Sequence, residues 1–245
     1  MNLLKFISYG NYSHELGNNS AYLKENNNLL LIDCGSTIFN SILEQGILDD
    51  INKIHILITH THDDHIGSLS SLLLYLKYNH PTKIDYTIIV PEPIQKSVRK
   101  HLKRGGVTDD LFIIVKPLVG TYYIQDPNDE SKTWISFKCK ETRHVPELKC
   151  FSYCFKYKGH DYFYSGDTAE LSVEDIERIQ NLYYKMSYID VTGNPNNPCH
   201  LPFNTLCNLL MPEVRQHVTC MHLDTLTKAD IALAGFSTPI VTFGG

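Results

Sequence analysis

Short runs of aliphatic and aromatic residues recur along the chain and predict β-strands in both of its halves. In the first half these runs cover 3–9, 21–24, 29–33, 54–59 and 86–90. In the second half they cover 112–115, 134–141, 151–157, 162–165, 187–191, 218–221 and 240–243. Because the same mixture of strand and helix sequence occurs twice, we expect two sheets rather than one.

Apolar residues spaced three and four positions apart predict helices between these strands. The helical segments are 36–45, 66–78, 92–104, 172–182 and 202–211. Ser172, with Asp175 three positions later, resembles a capping box and predicts a helix start. We therefore predict an α/β (α+β) protein in which helices cover two mixed β-sheets. No repeat and no Pro-rich linker interrupts the chain, so we expect a single domain over 1–245.

Two short polar segments predict tight turns between strands. The segment 126–130 combines Pro with Asn and Asp, which is typical of a hairpin turn. The segment 158–161 contains Gly159, which is free to adopt a positive φ. Both segments are expected to join neighbouring antiparallel strands.

The composition limits the class of protein. Of the 245 residues, 42% are hydrophobic and 20% are charged, which is typical of a folded globular protein and excludes disorder over most of the chain. The net charge of −5 at pH 7 provides no global positive field for a polyanion. A long nucleic acid is therefore not expected as a partner.

Several features predict a cytoplasmic protein with no membrane partner. No apolar run approaches the roughly 20 residues that a transmembrane helix needs. Residues 1–9 lack the apolar block and the cleavage site of a signal peptide. The seven cysteines form an odd set without zinc-finger spacing, which favours reduced thiols.

Twelve histidines are an unusual number for a chain of otherwise average composition, and the segment 60–65 concentrates three of them. His60 and His62 follow a predicted strand two positions apart, so their side chains can point the same way. Asp64 and His65 enter the next predicted helix and can face back toward them. Imidazole and carboxylate groups suit zinc or a similar first-row dication, and two such ions roughly 4 Å apart fit one site.

This His-x-His-x-Asp-His segment after a strand resembles the signature of the metallo-β-lactamase-fold superfamily of dinuclear metallohydrolases. The resemblance implies a four-layer αββα sandwich and three further metal ligands, each after a later strand. His144, Asp167 and His222 stand in those positions and in that order. The segment 31–35 is similar to the early strand and turn of the superfamily, so the resemblance covers nearly the whole chain.

Carried over residue by residue, the resemblance implies two divalent metal ions, with Zn²⁺ preferred and Mn²⁺ as the alternative. The implied ligands are His60, His62 and His144 for one ion, Asp64, His65 and His222 for the other, and Asp167 bridging both. Two such cations lower the pKa of water toward neutrality and offset charge on a substrate. The intact set therefore implies a hydrolase, with Asp64 among its catalytic residues.

The segment 199–202 is similar to the phosphodiesterase branch of the superfamily that includes the tRNA 3′-end endonuclease RNase Z. In that branch a histidine ahead of the last helix faces the scissile phosphate. The resemblance implies that His200 protonates the leaving alkoxide and that Asp190 orients His200. Pro202 departs from the hydroxyl residue that is common in that branch.

The spacing of the later motifs bears on the size of the substrate. Only 22 residues separate His144 from Asp167, and two predicted strands use them up, which leaves no room for a tRNA-gripping arm. The length and spacing are similar to those of compact cyclic-nucleotide phosphodiesterases of the anti-Pycsar type. That resemblance implies a homodimer that hydrolyses a small phosphodiester, namely a 3′,5′-cyclic nucleotide, to a nucleoside monophosphate. The alternatives are an RNase Z-like RNA-processing endonuclease and a glyoxalase-type thioester or lactone hydrolase.

The polar loop 10–20 follows the first predicted strand and is rich in glycine, asparagine and serine. In the implied fold this loop lies beside the metal ions. The resemblance therefore makes His14 and Asn19 candidate substrate contacts.

Overall fold

The strands and helices of the two halves of the chain belong to two compact units. The computed structural model describes residues 3–12, 15–108, 114–115, 121–126 and 129–241. The first unit comprises Leu3–Leu118 with Ile240–Gly245, and the second comprises Val119–Pro239. A single domain over 1–245 stays a prediction.

The first unit contains a six-stranded sheet whose strand order follows the chain. Its strands are β1 (Lys5–Ser8), β2 (Ser20–Glu25), β3 (Asn28–Ile32), β4 (Lys53–Leu57), β5 (Asp85–Ile89) and β6 (Ile114–Val115). The first three strands pair antiparallel, and β3 to β6 pair parallel. Parallel pairing brings the carboxyl ends of β3 and β4 side by side, and both ends are buried.

Helices connect the parallel strands of the first unit. They are α1 (Ile38–Glu44), α2 (Asp63–Ile66), α3 (Leu69–Tyr78) and α4 (Gln95–Arg104), with a 3₁₀ turn at Glu92–Ile94 before α4. The prediction of one helix over 66–78 is wrong, because the helical segment begins earlier and breaks at Gly67 and Ser68. The Ser68 hydroxyl accepts a hydrogen bond from the Phe39 amide at 3.0 Å and donates to the Gly35 carbonyl at 2.5 Å.

Two predicted strands of the first unit differ from the observed structure. The strand predicted over 54–59 ends at Leu57, since the Thr59 amide donates to the Asp33 carboxylate at 2.8 Å instead of to a neighbouring strand. Of the strand predicted over 240–243, Val241 forms an isolated parallel bridge with Phe6. Residues 242–243, and residues 112–113 of the strand predicted over 112–115, lie outside the described residues.

The second unit also contains a six-stranded sheet in chain order. Its strands are β7 (Tyr122–Asp126), β8 (Asp129–Thr142), β9 (Cys150–Tyr157), β10 (His160–Tyr164), β11 (Met186–Asp190) and β12 (Val218–Met221). Strands β7 to β10 pair antiparallel, and β10 to β12 pair parallel. Lys158 and Gly159 adopt φ values of 47° and 79° between β9 and β10, which confirms the turn predicted there. Asp126 of β7 pairs with Asp129 of β8, as the hairpin turn predicted over 126–130 requires.

The helices of the second unit are α5 (Val173–Gln180), α6 (Phe203–Leu209) and α7 (Lys228–Leu233), and a 3₁₀ segment spans Pro212–His217. The Ser172 hydroxyl accepts a hydrogen bond from the Asp175 amide at 3.2 Å, which confirms the predicted helix start. Strand β7, of which only Ile124 is buried, and the short helix α7 were not predicted from the sequence. A capping box of Thr227 and Asp230 was an available signal for α7.

Two mixed sheets with helices between their strands confirm the predicted α/β (α+β) class. The first sheet buries aliphatic residues such as Leu31 and Ile56, whereas the second buries aromatic residues such as Tyr153, Phe163 and Tyr188. Among the helices in the described ranges, none combines the length and apolarity that crossing a membrane requires.

Candidate metal centre

The candidate ligands of the first unit lie immediately after β4. His60 and His62 follow its carboxyl end, and α2 carries Asp64 and His65 in its single turn. The His60 Nε2 and His62 Nδ1 atoms are 2.9 Å apart, and the His60 and His65 rings lie 4.0 Å apart between centroids. The Asp64 Oδ2 atom lies 3.6 Å from His65 Nε2. The four side chains therefore converge, as the spacing of the segment predicts.

A buried carboxylate that the sequence analysis did not single out holds this cluster in place. Asp33 follows β3, has no exposed surface, and lies 2.8 Å through its Oδ2 from the His65 Nδ1 atom. The Thr59 hydroxyl donates to the same Oδ2 at 2.7 Å and lies 3.1 Å from His60 Nδ1. Burial raises the pKa of Asp33, and the interactions with His65 and Thr59 oppose that shift. Asp33 thus orients His65 directly and His60 through Thr59.

The candidate ligands of the second unit come from the carboxyl ends of several strands. His144 follows β8, Asp167 follows β10 and His222 follows β12. The Asp167 Oδ2 atom lies 3.8 Å from His144 Nε2 and 3.5 Å from His222 Nε2. All three side chains are buried, although they are up to 78 positions apart in the sequence. The parallel order of β10, β11 and β12 brings the last two together at one sheet edge.

Asp190, the last residue of β11, contacts two histidines of the second cluster. Its Oδ2 atom lies 2.7 Å from His200 Nδ1, and its Oδ1 atom lies 3.3 Å from His222 Nδ1. The Thr168 amide, next to Asp167, donates to the same carboxylate at 2.8 Å. Burial lowers the pKa of His200, but the charge and hydrogen bond of Asp190 together with the charge of Asp167 outweigh that effect, so the pKa is raised. The predicted contact between Asp190 and His200 is therefore present.

Four histidines across the two units share one arrangement: each has Nδ1 close to an oxygen atom. The pairs are His60 with Thr59 Oγ1, His65 with Asp33, His144 with the Cys199 carbonyl at 2.9 Å, and His222 with Asp190. The contacts of His60, His65 and His144 are hydrogen bonds, whereas the 3.3 Å contact of His222 is an ion-pair distance without hydrogen-bond geometry. A histidine whose Nδ1–H is held by oxygen keeps its lone pair on Nε2 and can bind a metal there. In the second unit, Asp167, Asp190, His200 and His222 each offer a ligand atom within 4.8 Å of one another. This donor chemistry fits divalent metal ions.

Two of the key residues adopt a backbone conformation that is uncommon for residues other than glycine. Asp33 has φ of 63° and His222 has φ of 59°. Such left-handed conformations cost of order 1–3 kcal/mol and persist where the surrounding structure requires them, often at functional sites. Their occurrence at the orienting carboxylate of one cluster and at a candidate ligand of the other agrees with a functional role for both clusters.

The two candidate substrate contacts, His14 and Asn19, differ in what the structure describes of them. His14 lies outside the described residues, so its role as a substrate contact stays a prediction. Asn19 precedes β2 directly and has a side chain that is only 1% exposed. The orienting roles of Asp33, Thr59 and the Cys199 carbonyl were not predicted from the sequence. An aspartate directly after a buried parallel strand next to the ligand-bearing strand was the available signal for Asp33.

Comparison with solved structures defines the class of protein. The structure of the metallo-β-lactamase fold protein YhfI from Bacillus subtilis aligns with a TM-score of 0.71 and 12% identity, covering 99% of this chain and 96% of that one. Together with the two mixed sheets and the His and Asp clusters, this likeness makes the chain a metallo-β-lactamase-fold protein.

Comparison with sequences defines the family within that class. The sequence model of the family described as "Anti-Pycsar protein Apyc1" matches residues 4–240. A relative of that name from Bacillus phage BSP38 is 33% identical over 226 residues, which cover 86% of this chain and 84% of the relative. Another from Paenibacillus harenae is 26% identical over 228 residues, covering 89% and 88%. The chain belongs to the anti-Pycsar Apyc1 family.

Proposed function

We propose that the protein is a metal-dependent phosphodiesterase that hydrolyses 3′,5′-cyclic nucleotides to nucleoside monophosphates and thereby blocks Pycsar antiphage signalling. The observation that carries the proposal is the match of residues 4–240 to the anti-Pycsar family in a chain that retains all seven expected ligands. The relatives are named anti-Pycsar proteins, and that name describes proteins that act against Pycsar. The substrate class follows from the resemblance of this chain to compact cyclic-nucleotide phosphodiesterases.

The connection between His144 and Asp167 supports a small substrate. Strands β9 and β10 follow each other through the two residues Lys158 and Gly159. This hairpin occupies most of the interval, so no RNA-gripping arm is inserted there. The net charge of −5 agrees with that interpretation, because binding many phosphates requires a basic surface.

The proposed ligands are those that the resemblance implies. In this proposal His60, His62 and His144 would hold one divalent ion, Asp64, His65 and His222 would hold the other, and Asp167 would serve as a ligand for both. We propose Zn²⁺, with Mn²⁺ as the alternative, because imidazole and carboxylate donors suit both ions. When bound, such ions supply Lewis acidity that lowers the pKa of water and offsets the negative charge of a phosphodiester.

The chain's own residues supply the proton that the reaction needs. Cleavage of a cyclic phosphate releases the ribose 3′ oxygen, which must be protonated as the P–O bond breaks. We assign this proton transfer to His200 Nε2, because its other ring nitrogen is fixed by Asp190 at 2.7 Å. Asp190 acts as a positioning residue in this proposal. We also propose that the protein acts as a homodimer.

A panel of hydrolysis assays tests the proposal. Purified protein, with its metal content measured, is offered 3′,5′-cyclic nucleotides, cyclic dinucleotides, a precursor tRNA and a thioester. We expect turnover of 3′,5′-cyclic nucleotides, and loss of at least ~10³-fold of it in His62→Ala and Asp64→Ala, because both substitutions remove proposed ligands. Exclusive cleavage of the precursor tRNA or of the thioester would contradict the proposal. Unchanged activity in either variant would refute the ligand assignment.

A further inference from the structure

The second unit contains a cavity that is separate from the residues of the candidate metal centre. Its volume is about 400 Å³, which is within the range of roughly 300–1,000 Å³ that is usual for small-molecule sites. The lining residues come from β7, β8, β9 and β10 and from the region of α5. None of the proposed metal ligands lines it.

Strand register explains why polar residues of four strands meet in this cavity. Tyr123 of β7 pairs with Ser136 of β8, Ser136 pairs with Lys156 of β9, and Lys156 pairs with Asp161 of β10. Directly paired residues on neighbouring strands point to the same face of a sheet. Lys138 lies two positions after Ser136 and therefore shares that face. One wall of the cavity is thus the regular face of the sheet, and the connection after α5 adds Tyr183 and Tyr184 to the lining.

The lining has a net positive charge, although the whole chain is acidic. It contains Lys138, Lys156 and Arg178 but only one carboxylate, Asp161. Arg178 is paired with Glu174 at 2.7 Å, and Lys156 lies 3.7 Å from Asp161. In the described part of the chain, Lys138 forms no ion pair. Lys138 is therefore available to an anionic group, and Lys156 is only loosely paired with Asp161.

Aromatic side chains border the same cavity. Tyr123 and Tyr183 are 55% and 54% exposed, which is unusual for large aromatic residues in a folded chain. The Arg178 guanidinium lies 5.2 Å from the Tyr183 ring centroid and its Nη1 lies 3.3 Å from the hydroxyl of the buried Tyr184. Exposed tyrosine faces can stack with a nucleobase with little dependence on its identity. The cavity therefore combines a stacking surface with lysine ammonium groups.

The cavity and the metal ligands lie toward opposite ends of β10. Asp161 is the second residue of that strand, whereas Asp167 follows its carboxyl end. The three positions of extended chain from Asp161 to Tyr164 alone correspond to roughly 10 Å, and Asp167 lies three residues beyond Tyr164. A ligand in the cavity would accordingly not contact Asp167.

We propose that this cavity is a second ligand site that binds a nucleoside 5′-monophosphate. The phosphate dianion interacts with Lys138 and Lys156, the base stacks on Tyr183 or Tyr123, and Asp161 accepts a hydrogen bond from a ribose hydroxyl or a base amino group. A dianion gains more from two lysines than a cyclic nucleotide, which carries a single charge. This inference does not depend on the proposed function, because it concerns binding rather than turnover.

Titration of the metal-loaded protein with AMP and with UMP tests the proposal. Trp134 is the single tryptophan of the chain and lies on β8, the strand that also carries Ser136 and Lys138 of the lining, and its fluorescence is followed alongside calorimetry. We expect Lys138→Gln with Lys156→Gln to weaken the Trp134-reported binding by at least ~10-fold. Lys138→Arg with Lys156→Arg keeps the charges and should stay within about threefold of wild type. Adenosine and ribose 5-phosphate, which each lack one half of the ligand, should bind at least ~10-fold more weakly than AMP.

Controls separate this site from the metal centre and from general effects of charge. Lys132→Gln on the same strand removes an exposed lysine that pairs with Asp129 outside the cavity, and it should leave AMP binding unchanged. Turnover should be the same in the Lys138→Gln, Lys156→Gln double variant as in wild type, whichever substrate the hydrolysis assays identify. Equal loss of AMP binding in Lys132→Gln, or unchanged binding in the double variant, would overturn the proposal. Tight binding of ribose 5-phosphate, or no binding at ~1 mM AMP, would also overturn it.

Discussion

The two histidine clusters are built in opposite ways. In the first unit, one segment of six residues after β4 supplies His60, His62, Asp64 and His65. In the second unit, His144, Asp167 and His222 come from three separate strand ends. Each cluster nevertheless depends on a buried carboxylate at or just after the end of a parallel strand, Asp33 in the first unit and Asp190 in the second.

The second cluster contains, in addition, a histidine that is not one of the proposed ligands. The Asp33 carboxylate contacts one proposed ligand directly, His65, and the Thr59 hydroxyl. The Asp190 carboxylate contacts the proposed ligand His222 and also His200, which the seven-ligand set does not use. In the proposed assignment every histidine of the first cluster is a ligand, whereas the second cluster also contains His200, a group suited to proton transfer.

Substitution of His200 should have the largest effect of those that test this difference. We expect His200→Ala to lower kcat by roughly 10²–10⁴-fold, the usual contribution of a general acid. KM should change much less, because the substitution leaves the proposed ligands in place. Steady-state kinetics with the best cyclic nucleotide, together with metal analysis of the same preparation, provide the measurement.

His160→Ala is the matched control for that variant, because His160 is an exposed histidine of the same unit, at the start of β10. It should have wild-type kinetics. Loss of one metal equivalent in His200→Ala would instead identify His200 as a ligand, in keeping with its place in a group of four possible ligands with Asp167, Asp190 and His222. Unchanged kcat with full metal content would exclude the proton-transfer role.

The two buried carboxylates can be compared directly by substitution with asparagine. We expect Asp33→Asn and Asp190→Asn each to lower activity at limiting metal by ~10–100-fold, the usual effect of losing an orienting partner of a metal ligand. Saturating metal should restore Asp33→Asn, because the histidines that this carboxylate orients, His65 directly and His60 through Thr59, are both proposed ligands. It should not fully restore Asp190→Asn, because His200 also loses its partner.

Activity measured as a function of Zn²⁺ or Mn²⁺ concentration decides between these outcomes. Full recovery of Asp190→Asn at high metal would mean that both carboxylates serve only the ligands. Failure of Asp33→Asn to recover, with its fold intact by circular dichroism, would mean that Asp33 has a role beyond orientation.

The same contrast explains what could be predicted from the sequence. The six-residue segment revealed itself because its donors are adjacent, and its resemblance to a known signature then located His144, Asp167 and His222. Asp33 was missed because an aspartate after a strand is common, and its role depends on the parallel pairing of β3 with β4. The Cys199 carbonyl that holds His144 could not be predicted either, since a backbone oxygen leaves no mark in a sequence. The strand β7 was missed because only one of its five residues is buried.

The smallest expected effect concerns the indirect contact in the first cluster. Thr59→Val removes the hydroxyl between Asp33 and His60 but keeps the shape of the side chain, so one hydrogen-bonded link worth about 1 kcal/mol is lost. We expect metal affinity to fall by roughly 3–10-fold, with kcat at saturating metal within about twofold of wild type. Thr82→Val, at an exposed position of the same unit, should change neither value. A loss in Thr59→Val as large as that in Asp33→Asn would show that Asp33 acts on the first cluster mainly through Thr59 and His60, and that its direct contact with His65 matters less.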